Sequence, residues 1–303
     1  MNAVTKRFNS FKHKKLYTSN NFKSLLFLSP SIIIILIFFV GPIFVSIFYA
    51  FTDFKLTGPT SLNYNFVGFE NFIRMFTDPR FYTAAINTLL FLFGSLIAAQ
   101  GLGFFIAYLI RGKNIHIRRF VGTSVLLGWV APEIVAAYAM MAFLDEQGMF
   151  NTILSSVGLP EVTWLFSYPM LSIIIANVWR GTAFSMMNFQ AGFDGIPHDI
   201  EEAASIDGAN KAKVLVSIII PMLKNQIVTL TILNTLTTMG VFGLIYALTG
   251  GGPGLETTTL SIFMYEQAFT GSDLAYGSAI ALVILLIGIF MSLGYLKVTK
   301  SQL

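Results

Sequence analysis

Residues 81–110 read FYTAAINTLLFLFGSLIAAQGLGFFIAYLI, a run without a single charged side chain. An α-helix rises 1.5 Å per residue, so about 20 apolar residues cross the roughly 30 Å of hydrocarbon in a bilayer. This run exceeds that length. It therefore predicts a membrane-spanning helix and an integral membrane protein.

Five further segments have the same character. Three of them contain no charge, namely residues 24–52, 225–255 and 274–296. The other two contain one charge each, Glu133 within residues 120–144 and Arg180 within residues 168–190. The sequence thus predicts an all-α membrane protein with six transmembrane helices.

The composition agrees with this fold class. The chain is 55% hydrophobic and 11% charged, against roughly a quarter charged in soluble domains. It has no cysteine, and its three histidines are scattered, so we expect no disulfide, metal site or cofactor. The first apolar segment is too long for a cleavable signal peptide and is expected to remain.

The distribution of Lys and Arg predicts the orientation of the chain. Fifteen of the nineteen lie in the N-terminal tail, the second and fourth loops and the C-terminus. The opposite face has only Lys55, Arg74 and Arg80. By the positive-inside rule both termini are expected in the cytoplasm. Because the basic residues flank spans, they do not indicate nucleic-acid binding.

The longest cytoplasmic loop, residues 192–221, reads GFDGIPHDIEEAASIDGANKAKVLVSIIIP. Its pattern predicts a short helix from Pro197 to Asp207, because proline suits a first helical position. Gly208 is expected in a left-handed conformation, and Asn210 is expected to cap a second helix that Pro221 interrupts.

The first short helix places four residues on one side, Ile200, Ala203, Ala204 and Asp207. This small, mildly apolar surface would fit a groove on a partner protein. A surface-bound amphipathic connector is the alternative interpretation.

The loop resembles the EAA coupling loop of binding-protein-dependent ABC importer permeases. The resemblance is carried by Glu202-Ala203-Ala204, Gly208 and residues 218–221, with Ile220 where the family usually has Leu. Residues 68–72, 87–88, 179–181 and 248–253 are similar to the sugar-importing branch, typified by the maltose and glycerol-phosphate permeases.

The resemblance implies a type-1 permease fold in a bacterial or archaeal inner membrane. It assigns ATPase coupling to six residues: Glu202, Ala203, Ala204, Ile206, Asp207 and Gly208. The implied partners are a second permease subunit, an ABC ATPase dimer, an extracytoplasmic solute-binding protein, a carbohydrate substrate and membrane lipid. No P-loop sequence occurs in the chain, so ATP hydrolysis is expected on a separate protein, and the chain is not expected to be an enzyme.

The expected organisation has three parts. Residues 1–24 form a cytoplasmic basic tail, and residues 25–82 form the first transmembrane helix and an external loop. Residues 83–298 form the five-helix transport core, which includes the coupling loop, residues 192–221.

Polar side chains within the predicted spans are candidates for the substrate pathway. Glu133 and Arg180 are expected to pair, either as a structural ion pair or as part of the pathway. The pathway candidates are Asn177, Arg180, Phe184, Asn188, Asn234 and Thr238. Interhelical hydrogen bonding is the competing interpretation, and it is favoured for the Thr-rich stripe that includes Thr231 and Thr235.

Two other functional classes fit the sequence less well than a permease subunit. A secondary transporter of a small polar solute would use intramembrane ionisable groups for ion coupling and often has an inverted repeat, which this sequence lacks. A membrane-embedded enzyme would need a catalytic cluster, and the spans have no cluster of His, Cys or carboxylates.

Overall fold

A computed structural model describes residues 20–300, and the chain divides into two units, residues 1–48 and residues 49–303. The described part of the first unit is helical: α1 (Asn20–Ile35), a π-helical segment (Leu36–Val40) and most of α2 (Gly41–Ala50). The predicted basic tail, residues 1–24, lies mostly outside the described residues.

The second unit consists of helices joined by short connections. Its first elements are a 3₁₀ turn (Pro59–Ser61) and α3 (Glu70–Thr77). Then follow α4 (Pro79–Ile110), α5 (Ile115–Val130), α6 (Glu133–Leu144), α7 (Met149–Ser156), α8 (Trp164–Ser167) and α9 (Pro169–Asp194). The last group is α10 (His198–Ile206), α11 (Lys211–Val214), π-helical Leu215–Ile219, α12 (Ile220–Met222), α13 (Lys224–Met239), α14 (Gly243–Leu248), α15 (Leu260–Tyr265), π-helical Glu266–Thr270 and α16 (Leu274–Lys300).

The described helices account for the six predicted spans. Four are long and apolar enough to cross a membrane alone: Phe27–Ala50, Pro79–Ile110, Pro169–Asp194 and Leu274–Lys297. Two more spans are formed by bent pairs, Ile115–Val130 with Glu133–Ser156 and Lys211–Met222 with Lys224–Met239. The number six requires that each bent pair counts as one span.

The third span differs from the continuous helix that the sequence predicts over residues 120–144. Its two parts meet at 106°, with Ala131 and Pro132 both in extended conformations between them. Proline disfavours the helical conformation of the residue before it, which explains a break at Ala131. Glu133 consequently lies in the first turn of a new helix, α6.

Helix α4 is the central element of the second unit. It begins at an N-cap, where the Asp78 carboxylate accepts a hydrogen bond from the Arg80 backbone N–H at 2.9 Å. A further hydrogen bond from the Arg80 side chain lowers the pKa of Asp78 below its usual value. Along its length α4 packs closely on α9. A β-carbon at Gly103 would lie 2.6 Å from the Ser185 β-carbon and 2.7 Å from the Met186 nitrogen.

The loop that precedes α4 belongs to the second unit. Two contacts explain this. Met75 is fully buried in a cluster with Phe81 and Tyr276, and Arg74 forms a 2.7 Å ion pair with Asp273. The loop is therefore part of the packed structure around α4 and α16.

Candidate functional site

A polar cavity of about 210 Å³ lies among the spanning helices α4, α5, α9 and α13. The first turn of α6 completes its wall. The polar side chains that line it are Ser95, Glu133, Asn177, Arg180, Asn234, Thr237 and Thr238. Ionisable and polar groups are costly in hydrocarbon and usually face a bundle interior or a water-filled path, so this cavity is the candidate solute site.

Five of the six predicted pathway residues line this cavity: Asn177, Arg180, Phe184, Asn234 and Thr238. Asn188 does not. Its side-chain amide donates to the Phe184 carbonyl at 2.8 Å, and its backbone carbonyl accepts from the side chain of Gln226 on α13. Asn188 thus takes part in joining α9 to α13.

The Thr-rich stripe of α13 is used for interhelical hydrogen bonds. Thr231 donates to the Gln100 side chain at 3.2 Å, and Thr235 donates to the Tyr295 hydroxyl at 3.4 Å. Polar side chains commonly join membrane helices in this way. The structural interpretation therefore fits these two residues.

The predicted pair of Glu133 and Arg180 is present. The guanidinium Nη1 lies 3.3 Å from a Glu133 carboxylate oxygen, and Nη2 donates to the Ala131 carbonyl at 3.4 Å. The Arg180 side chain is 16% exposed and the Glu133 side chain is 40% exposed. Arg180 Nε is buried and has no partner among the described residues. The pair is therefore both an interhelical contact and part of the cavity wall.

Of the two aromatic side chains in the wall, the sequence predicted Phe184 and missed Trp129. Trp129 lines the cavity, and its ring stacks on Phe184 with a centroid distance of 5.9 Å and an interplanar angle of 22°. Trp129 lies two residues before Ala131, where the third span breaks. The available signal was the position of Trp129 four residues before Glu133, a spacing that places two residues on one face of a regular helix.

The surface hairpin has the predicted conformation at its turn. Helix α10 begins at His198 with Pro197 as its N-cap, and Asp207 is its C-cap. Gly208 has φ of +80°, the left-handed conformation expected of it. The Asn210 side chain accepts from the Lys213 backbone N–H at 2.8 Å, which confirms the second cap.

The exposed face of α10 differs from the predicted stripe. Ala204 is 8% exposed and packs in a cluster with Val214 and Phe193, so it is turned inward. Ala203 and Ile206 are exposed, Ile206 at 86%. Of the six residues that the sequence assigns to coupling, five are therefore exposed: Glu202, Ala203, Ile206, Asp207 and Gly208.

The second helix of the hairpin continues through Pro221, although the sequence predicted an interruption at this residue. A π-helical segment, Leu215–Ile219, precedes the proline, and the Ile220 N–H bonds to the Leu215 carbonyl. The bend comes later, where Lys211–Met222 and Lys224–Met239 meet at 66°. The wider π turn accommodates a residue that has no N–H for the ordinary i to i−4 bond.

Two ion pairs brace the base of the hairpin. Arg111, which caps the C-terminus of α4, contacts the carboxylate of Glu201 on α10, and its guanidinium lies 5.2 Å from the Phe193 ring centre. Arg118 on α5 donates to Asp194 at the end of α9 at 2.6 Å. The first pair connects α10 to α4, the helix that carries Ser95 at the cavity, and the second connects α5 to α9.

Spans that enclose a polar cavity, with a braced hairpin outside them, define a multi-helix membrane permease. The chain belongs to the family described as "Binding-protein-dependent transport system inner membrane component", whose model matches residues 74–300. It is an inner-membrane transport subunit.

Curated relatives agree with this membership. The chain is 35% identical over 240 residues to the trehalose/maltose transport system permease protein MalF of Thermococcus litoralis, covering 78% of this chain and 81% of the relative. It is 30% identical over 282 residues to the sulfoquinovosyl glycerol transport system permease protein SmoG of Agrobacterium fabrum, covering 92% and 91%.

A solved structure shares the fold. A chain of a bacterial ABC transporter involved in the import of the acidic polysaccharide alginate superposes with a TM-score of 0.80 at 23% identity, covering 95% of this chain and 99% of that chain. This similarity establishes the type-1 ABC permease fold.

Proposed function

We propose that this chain is one of two permease subunits of an ATP-driven importer that carries a di- or oligosaccharide. The observation that carries the proposal is the convergence of Asn177, Arg180, Asn234 and Thr238 on one cavity. Amide, guanidinium and hydroxyl groups supply the donors and acceptors that a sugar needs. Trp129 adds an aromatic surface for the apolar face of a sugar ring.

The size of the cavity supports a shared site. Its volume of about 210 Å³ is below the roughly 300–1,000 Å³ of typical ligand pockets. A second permease subunit would supply the rest of the wall. The trehalose/maltose and sulfoquinovosyl glycerol relatives favour a carbohydrate as the solute, delivered by an extracytoplasmic binding protein.

The hairpin is the proposed contact with an ABC ATPase dimer that hydrolyses ATP on separate chains. Five of its exposed residues, Glu202, Ala203, Ile206, Asp207 and Gly208, would enter a groove on the ATPase, and buried Ala204 would hold α10 against the protein. The proposed transport core is residues 83–298, and residues 1–24 and 25–82 keep their proposed roles as basic tail and as first helix with external loop.

Reconstitution tests the proposal. Proteoliposomes that contain both permeases and the ATPase should accumulate radiolabelled oligosaccharide only with ATP and binding protein. Asn177→Ala should reduce uptake at least about fivefold, because a buried hydrogen bond to the solute is lost. A non-hydrolysable ATP analogue is the control. Uptake driven by an ion gradient without the ATPase would instead identify a secondary transporter.

The proposed orientation has its own test. Because the chain has no cysteine, a single cysteine at position 60 should react with a membrane-impermeant thiol reagent in intact cells, and one at position 210 should react only after lysis. Labelling of position 210 but not position 60 in intact cells would show that the topology is the reverse of the proposed one.

The contact between Arg111 and Glu201 predicts a positioning role. Arg111→Gln should lower ATP-driven uptake severalfold, because α10 loses its attachment to α4. The effect should be large because the Arg111 side chain is only 12% exposed and its ion pair is poorly screened by water. Exchanging the charges, Arg111→Glu with Glu201→Arg, should restore part of the uptake. Lys113→Gln, an exposed change in the same recess, is the matched control. No recovery in the exchanged variant combined with normal ATPase binding in Arg111→Gln would contradict this role.

A further inference from the structure

Helix α3 is fixed in rotation by one buried edge. Asn71 is 7% exposed, and its side-chain amide donates to the carbonyls of Ala50 at 2.9 Å and Thr52 at 2.7 Å. Met75, one turn later, is fully buried. Because both residues are anchored, the faces that α3 presents outward are set by the fold.

One outward face of α3 is apolar. Phe69, the N-cap, and Ile73 and Phe76 within the helix are 68%, 65% and 53% exposed. Their spacing of i, i+4 and i+7 places them within about 60° of one another around the helix. They form a narrow stripe of large side chains, which we call the α3 stripe.

The adjoining outward face is polar. Glu70, Arg74 and Thr77 are exposed and lie on the opposite side of the α3 stripe from Met75. Arg74 is held by its ion pair with Asp273 at 2.7 Å. The helix is therefore divided into a face against the protein, an apolar face and a charged face. This division is typical of a helix at a membrane surface.

The α3 stripe continues onto the membrane-spanning surface. The Tyr82 hydroxyl on α4 donates to the Phe76 carbonyl at 2.8 Å. From Tyr82 the exposed side of α4 proceeds through Ile86 and Leu90, which are 58% and 55% exposed. Apolar side chains exposed along a span match the hydrocarbon of the bilayer, and aromatic residues concentrate where the span meets water.

We propose that α3 is an interfacial helix whose stripe of Phe69, Ile73 and Phe76 inserts into the lipid at the α4 end remote from the coupling hairpin. The polar face would remain in water among the headgroups. This end of α4 begins at Pro79, directly after α3, so lipid contact would set the depth at which the span enters the membrane. The proposed occupant is the bilayer. The α3 stripe lies beside a charged face, and it continues the exposed apolar surface of α4 without interruption.

Spin labels on single cysteines test this placement in the cysteine-free chain. The full chain is isolated from membranes with its bound subunits and reconstituted in vesicles of phosphatidylethanolamine and phosphatidylglycerol. Labels at positions 69, 73 and 76 should relax faster with oxygen, which partitions into lipid, than with a water-soluble nickel chelate. Labels at the control positions 70 and 77 should show the opposite order.

Two outcomes would overturn the proposal. Access of the nickel chelate to positions 69, 73 and 76 would show a face open to water and to soluble partners, and exclusion of both reagents would show a face covered by another subunit. As a second measurement, Ile73→Trp should gain a fluorescence component that lipids brominated near the headgroup quench. These experiments measure the position of α3 and do not require transport. A negative result would therefore be distinguishable from failure of the proposed function.

Discussion

Ala203→Asp should abolish ATP-driven uptake while leaving the chain inserted and assembled with its partner permease. Ala203 is exposed on α10, and no spanning segment is altered. If the hairpin enters an ATPase groove, the new carboxylate is buried without a partner, at a cost of about 3 kcal/mol or more. That cost corresponds to more than about a hundredfold weaker association.

Gly208→Val should act on the same step by a different route. A β-carbon at Gly208 meets no atom within 4 Å, so no clash is expected. The φ of +80°, however, is strained for any residue with a β-carbon, by roughly 1–2 kcal/mol. Relief of this strain would rotate α11 against α10 and displace the exposed residues.

Co-purification of the ATPase and radiolabelled sugar uptake measure both variants. Ala203→Ser, which adds only a hydroxyl at the same position, is the matched control and should retain most of the uptake. Gly208→Asn is the corresponding control for the turn, because asparagine tolerates the left-handed conformation. Normal ATPase recovery and normal uptake in both test variants would exclude the hairpin as the coupling element.

Loss of one member of the Glu133 and Arg180 pair should be more harmful than loss of both. Glu133→Gln leaves a guanidinium that is only 16% exposed, and we expect a loss of about 1–3 kcal/mol in stability. Arg180→Gln should cost less, because the Glu133 carboxylate is 40% exposed and stays partly hydrated. The double variant should recover thermal stability relative to Glu133→Gln.

Stability and uptake must be measured separately for this pair, because both side chains line the cavity. Detergent-solubilised thermal midpoints report the structural contribution, and uptake reports the contribution to transport. Thr235→Val, which alters a buried polar residue outside the cavity wall, is a control for general loss of packing. Strictly additive losses in both measurements would show that the two charges do not act as a pair.

The sequence predicted the features that depend on local pattern. Charge-free runs identify spans, and Gly208 and Asn210 identify a turn and a cap whose chemistry is confined to a few residues. The pairing of Glu133 with Arg180 was also predicted, since two lone charges in apolar surroundings require partners.

The features that the sequence did not predict depend on contacts between distant segments. Ala204 is turned inward because Val214 and Phe193 pack on it, and no local pattern distinguishes it from exposed Ala203. Trp129 lines the cavity and stacks on Phe184 of α9, a contact between segments that are distant in sequence.

The close packing of α4 on α9 at Gly103 restricts how the cavity can open. Because even a β-carbon at Gly103 would collide with Ser185 and Met186, the two helices are closely packed there and should move as one rigid body. The backbone breaks lie elsewhere, at Ala131 and at the 66° bend before α13. We therefore expect any opening of the cavity to bend the third and fifth spans, while α4 and α9 stay together.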